Sequence, residues 1–181
     1  MEKSLSKRII KLSTEAIYIL LTVVCAVVLP QIFHAAGVLL GVGGKLGQIF
    51  LPMYIPVLII GFWRGPATGA VAGLLSPIVS FWITNMPSSA LLPFIIIELS
   101  AIGALAGIFS KSKLPAVLRV LSVQVIAKLV RIGALALSLY ITNGTVSTAA
   151  LFNGILISVP GVILQLALVT LLLIKKEKKN G

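Results

Sequence analysis

An apolar run begins at Ala16 and continues beyond Phe33, broken by little more than Thr22, Pro30 and Gln31. A helix of a soluble domain keeps one face polar, and this run has no such face. Crossing a hydrocarbon layer takes about 20 apolar residues. Lys3, Lys7, Arg8 and Lys11 precede the run in the manner of a signal peptide. A signal core, however, is only about 7–15 residues long, so the run reads as a first transmembrane helix. Similar runs follow, and the expected spans are about 13–36, 49–63, 67–83, 91–109, 114–141 and 149–174. The expected fold is therefore an all-α integral membrane protein. It is a single domain over 1–181, a compact bundle of six transmembrane helices with basic tails at 1–12 and 175–181.

Composition agrees. The 181 residues are 59% hydrophobic and 10% charged, with a mean hydropathy of +1.15. Soluble domains carry about a quarter charged residues. The formal charge of +11 comes from 15 Lys and Arg against 4 acidic residues. Their placement matters more than their number. Four groups, Lys3/Lys7/Arg8/Lys11, Arg64, Lys111/Lys113/Arg119 and Lys175/Lys176/Lys178/Lys179, hold every basic residue except Lys45, Lys128 and Arg131. With six spans, all four groups fall on one side. The positive-inside rule makes that side the cytosol, so both termini are expected to be cytoplasmic and the chain to lie in the cell membrane. No basic stretch interleaves aromatics, so nucleic acid is a poor partner.

Glycine and proline punctuate the runs. Gly37, Gly41, Gly43, Gly44 and Gly47 crowd residues 37–48, which suits a lid or re-entrant loop. Pro30 is expected to bend the first helix, and Pro52 and Pro56 to interrupt the second. Asn85 to Ser89 reads as a turn, and Thr142 to Thr145 as a break.

Three ionisable residues fall within spans: Glu98, Lys128 and Arg131. Charge inside a membrane is expensive, which marks these as functional candidates. Lys128 and Arg131, spaced i and i+3, share a helix face. Glu98 lies about 10 Å below the outer end of its helix at 1.5 Å per residue, so the three are placed to meet in the outer half. Two readings stand side by side. The three form a buried ion group that fixes helix packing, or the cationic surplus holds an anionic ligand group. His34, Lys45, Asn85 and Asn153 are further substrate-site candidates in the same half, with Gln31, Gln48 and Gln165 near them. Lys45 and Asn153 are expected at the mouth, and Gln165 deeper, as an interhelical hydrogen-bonding residue. Tyr54, Trp63, Phe81, Trp82 and Tyr140 would stack on a ring ligand, with an interfacial belt as the alternative for Trp63 and Trp82. Gly65, Gly69 and Gly73, with Gly103 and Gly107, offer small-residue faces for packing within the bundle or for docking a partner.

Catalysis finds few players. HExxH, GxSxG and a paired acidic dyad are all missing, and Gly44-Lys45 is followed by Leu46 rather than by the Ser or Thr of a phosphate-binding loop. The single cysteine, Cys25, excludes a zinc site built on cysteine clusters. No enzyme, cofactor or metal is expected.

Several stretches resemble the substrate-binding S components of energy-coupling factor (ECF) vitamin transporters. Leu51 to Leu58, with Gly61-Phe62 and Gly65-Pro66, looks like the second helix and turn of that family. Gly73 to Pro77 followed by Asn85-Met86-Pro87 looks like the third helix and its outer loop. Glu98 stands where related sequences carry a glutamate, and Val159-Pro160-Gly161 with Gln165 resembles the last helix. The resemblance runs in order over about 15–174. It implies a six-helix bundle with an outward pocket for a vitamin-sized molecule, the loop 37–48 acting as lid. It also implies partners: a transmembrane coupling protein and two cytosolic ATPase subunits that supply the ATP hydrolysis of the importer. Docking in the family commonly uses an AxxxA pattern on the first helix. Here Ala16 is followed four residues on by Leu20, and Thr22 with Ala26 is the nearest equivalent, so the ladder Gly65, Gly69 and Gly73 is a further docking candidate. A stand-alone carrier or channel, or a non-catalytic assembly factor, are the alternative readings.

Overall fold

The computed structural model describes residues 2–43, 45–141 and 157–180. Among the described residues every regular element is a helix: α1 Glu2–Leu39, α2 Lys45–Phe50, α3 Tyr54–Arg64, α4 Pro66–Thr84, α5 Leu92–Phe109, α6 Ala116–Ile141 and α7 Val159–Asn180. Five of them, α1, α4, α5, α6 and α7, are long and apolar enough to cross a membrane.

The helix α1 extends further at both ends than the apolar run alone implies. Its first residues are mostly good helix formers, and no proline or glycine intervenes before Pro30. The helix continues through Pro30 and stops at a glycine-closed end. Gly41 takes φ 74°, Val42 N–H donates to the Gly37 carbonyl at 2.9 Å, and Gly41 N–H donates to Val38 at 3.1 Å. This is the left-handed glycine cap that commonly ends helices. The expected lid segment 37–48 thus divides into this cap and the start of the short helix α2.

The single helix expected over 49–63 is two helices. Pro52 cannot donate a backbone hydrogen bond and disfavours helical backbone at the residue before it. Leu51 accordingly sits at φ 46°, and the chain turns between α2 and α3. With 11 residues, α3 is about 16 Å long, short of a hydrocarbon layer by itself. Gly65, at φ 101°, then turns the chain into α4, whose first residue is Pro66.

Helices α3, α4 and α5 approach so closely that only glycine fits between them. A Cβ on Gly61 would lie 2.5 Å from the Gly103 carbonyl oxygen. One on Gly69 would lie 2.7 Å from the Gly103 carbonyl carbon, and one on Gly73 2.6 Å from that of Leu99. Gly69 and Gly73 of the ladder thus lie against α5. Thr22 and Ala26 are likewise buried, Ala26 within the main core beside Tyr54, Val57 and Leu58. Gly65 belongs to the α3–α4 turn.

Contacts also define one end of the molecule. Glu15 of α1 pairs with Arg64 at the end of α3 and accepts a hydrogen bond from Thr68 of α4 at 2.9 Å. Arg119, near the start of α6, pairs with Glu177 near the end of α7, and Lys176 lies over the Trp63 ring at 5.4 Å. Around the sides, Leu20, Leu21, Val24, Val28, Leu129, Ile163 and Leu171 are exposed. A surface this apolar suits lipid and not water.

Candidate functional site

The central cluster is built on α5 and α6. Phe94, Glu98, Ile102 and Ala106 recur every four residues and form one buried stripe of α5. Val120, Val123, Ala127, Arg131 and Leu135 make the matching stripe on α6. Glu98 is thus an acid placed on a face that is otherwise core, and it is fully buried. A lone carboxylate there would be prohibitive, so partners have to come to it.

Three do. Lys128 Nζ lies 2.6 Å from Glu98 Oε1, and Arg131 Nη1 donates to Oε2 at 2.8 Å. The Tyr54 hydroxyl, at the start of α3, donates to the same Oε2 at 2.7 Å. The Lys128 ammonium also stands 5.5 Å above the Tyr54 ring. The side chain of Arg131 is 7% exposed and that of Lys128 18%, against 0% for Glu98. One carboxylate therefore faces two cations, and the cluster carries a positive surplus. Arg131 Nε is buried with no hydrogen-bond partner.

A second polar group lies between α6, α7 and the α2–α3 turn. Gln165 Nε2 donates to the carbonyls of Phe50 at 3.4 Å and Leu51 at 3.2 Å. The Leu51 carbonyl also accepts from the Tyr54 N–H at 3.1 Å, and Gln165 adds a side-chain donor that ties α7 to the α2–α3 turn. Gln124 Nε2 in turn donates to Gln165 Oε1 at 3.5 Å. Gly161 lies against Phe50, where a Cβ would meet the Phe50 carbonyl oxygen at 2.6 Å.

Glu98, Lys128 and Arg131 are thus brought together, in line with their expected meeting. His34 is elsewhere: its ring packs on Gly47 of α2, where a Cβ would lie 2.5 Å from His34 Cε1, and its buried Nδ1 has no hydrogen-bond partner. Asn85 caps α4 in left-handed backbone at φ 54° and is exposed. Lys45 opens α2. Asn153 lies outside the described residues. Sequence reasoning took Tyr54 as a ring and missed its hydroxyl, and it had no route to Gln124. The aromatics Trp82 and Tyr140 are largely exposed, as a belt requires.

Five long apolar helices around a buried charged cluster define a multi-pass helical membrane protein. No family model, curated protein or solved structure matches the chain.

Proposed function

We propose that this chain is the substrate-binding S component of an ECF-type importer, capturing a vitamin or related micronutrient outside the cell and delivering it inward. The observation that carries the reading is the Glu98–Lys128–Arg131–Tyr54 cluster, a polar, cationic site enclosed by otherwise apolar helices. Intramembrane charge of this kind marks a substrate path more often than a scaffold. The sequence resemblance over about 15–174 supplies the family.

In this reading α3 counts as a sixth, short crossing. The contacts Glu15–Arg64, Lys176–Trp63 and Arg119–Glu177 set the beginning of α1 and the end of α7 at one end, which an even number of crossings requires. The basic residues Arg64, Lys111, Lys113, Lys175 and Lys176 belong to that same end, making it cytoplasmic by the positive-inside rule. The cluster then lies toward the outside, and the glycine-rich segment 37–43 with α2 is the proposed lid. ATP hydrolysis belongs to two cytosolic ATPase subunits working through a transmembrane coupling protein.

A second reading has one observation in its favour. Both oxygens of Glu98 are occupied within the chain, as in a closed ion group that only holds α3, α5 and α6 together. Affinity purification of the tagged chain from native membranes separates the two. An importer component brings down a coupling protein and a pair of ATPases, and its solute uptake stops when ATP is depleted. Recovery of the chain alone, with no ATP-dependent uptake, would leave the scaffold reading.

A further inference from the structure

We infer that the Glu98 cluster seats a ligand bearing a single carboxylate, held between Lys128 Nζ and the unpartnered Nε of Arg131. This rests on the proposed binding role and adds the class of substrate. The inventory of carboxylates decides the charge. The chain has only 4 acidic side chains, Glu2, Glu15, Glu98 and Glu177. Glu15 is taken by Arg64 and Thr68, and Glu177 by Arg119. Arg64 stands at the far end of α3 from Tyr54, about 15 Å along the helix at 1.5 Å per residue. Helix α1 runs antiparallel to α3, because Glu15 meets Arg64 while Phe33 meets the Phe50 ring at 5.6 Å. Glu2 therefore lies a further ~20 Å beyond Glu15, away from the cluster. Among the described ion pairs, Glu98 is the one carboxylate that meets Lys128 or Arg131.

The surplus positive charge of two cations on one carboxylate is uncompensated within the cluster. Arg131 Nε is, besides, buried and unpartnered. An entering anion answers both. Lys128 is the most exposed member of the cluster through its stem, while its ammonium and Arg131 Nε are both buried without a hydrogen-bond partner and Glu98 is fully enclosed. One negative charge balances the site and two would overshoot it. A planar carboxylate offers one oxygen to the ammonium and one to the guanidinium, the pairing in which charge-assisted hydrogen bonds are strongest. Glu98 and Tyr54 act as positioning residues, fixing the two cations from behind.

The test compares matched probes on the full chain purified in mild detergent: nicotinate against nicotinamide, and pantothenate against its alcohol pantothenol, with inorganic phosphate and chloride as controls. Calorimetry and thermal shift read binding. A carboxylate of at least one pair is expected to bind at least tenfold more tightly than its uncharged counterpart, and K128Q to abolish that preference. K128Q keeps the neutral Glu98–Arg131 pair, so its ligand-free unfolding midpoint should match or exceed that of the ligand-free parent. Equal binding of charged and uncharged probes, no response to any carboxylate, or a preference that survives K128Q would each overturn the inference. Tight one-to-one binding of an uncharged or cationic vitamin would do so while leaving the importer reading intact. Absence of ATPase partners on purification would instead remove that reading.

Discussion

Glu98 shows how one residue organises its surroundings. Its two oxygens collect a lysine, an arginine and a tyrosine from two other helices, and each partner makes burial of the others tolerable. Removing the acid strands both cations. Glu98→Leu is expected to destabilise the folded protein by about 3–5 kcal/mol, the usual cost of breaking a buried pair from one side. Tyr54→Phe removes one hydrogen bond to a carboxylate and should cost roughly 1.5–3 kcal/mol. Unfolding midpoints in detergent check both, and equal stability of Glu98→Leu and the parent would contradict the cluster. The three ionisable residues were legible in the sequence because charge in an apolar run stands out. The Tyr54 hydroxyl was not, since a tyrosine in a span has two plausible uses and only the partner decides between them.

At the scale of elements, proline and glycine explain most of what differs from a plain reading of hydropathy. Hydropathy alone merges α2 and α3, because Leu51 to Met53 is as apolar as its flanks. The break follows from Pro52, and Gln165 on α7 donates to the carbonyls of Phe50 and Leu51 at that break. Gln165→Leu should remove this donor from the Phe50 carbonyl, Leu51 keeping its bond from the Tyr54 N–H, and lower stability by about 1–3 kcal/mol, the penalty for a buried polar group without a partner. Glycine makes a sharper contrast. Gly103→Ala forces a methyl into the Gly69 backbone and is expected to cost about 1–3 kcal/mol, as overpacking does. Gly133→Ala on α6 meets nothing within 4 Å and should be neutral or stabilising by up to about 1 kcal/mol. The same thermal measurement reads both variants, and identical behaviour of the two would refute the close α4–α5 approach. GxxxG spacing announced that close packing would occur. It could not say whether the neighbour was α5 or another protein, because both leave the same pattern in the chain.

For the whole molecule, the apolar runs announced a multi-pass helical protein, and the positions of the basic residues suggested how it is oriented. Pairs that sequence could not match, Glu15 with Arg64 and Arg119 with Glu177, tie α1 to α3 and α6 to α7, since each acid had several basic residues to choose from. In the proposed six-crossing arrangement an epitope tag at either terminus should be reached by antibody only after the cell membrane is permeabilised; a terminus labelled on intact cells would exclude that arrangement. The proposed role of the molecule rests on its holding a small solute. The most direct measurement is to purify the chain gently, denature it and identify by mass spectrometry what is released. A water-soluble micronutrient at about one per chain is the expected result. A chain that releases nothing, and whose unfolding midpoint no vitamin raises, would contradict a binding role and leave Glu98, Lys128 and Arg131 as a structural brace.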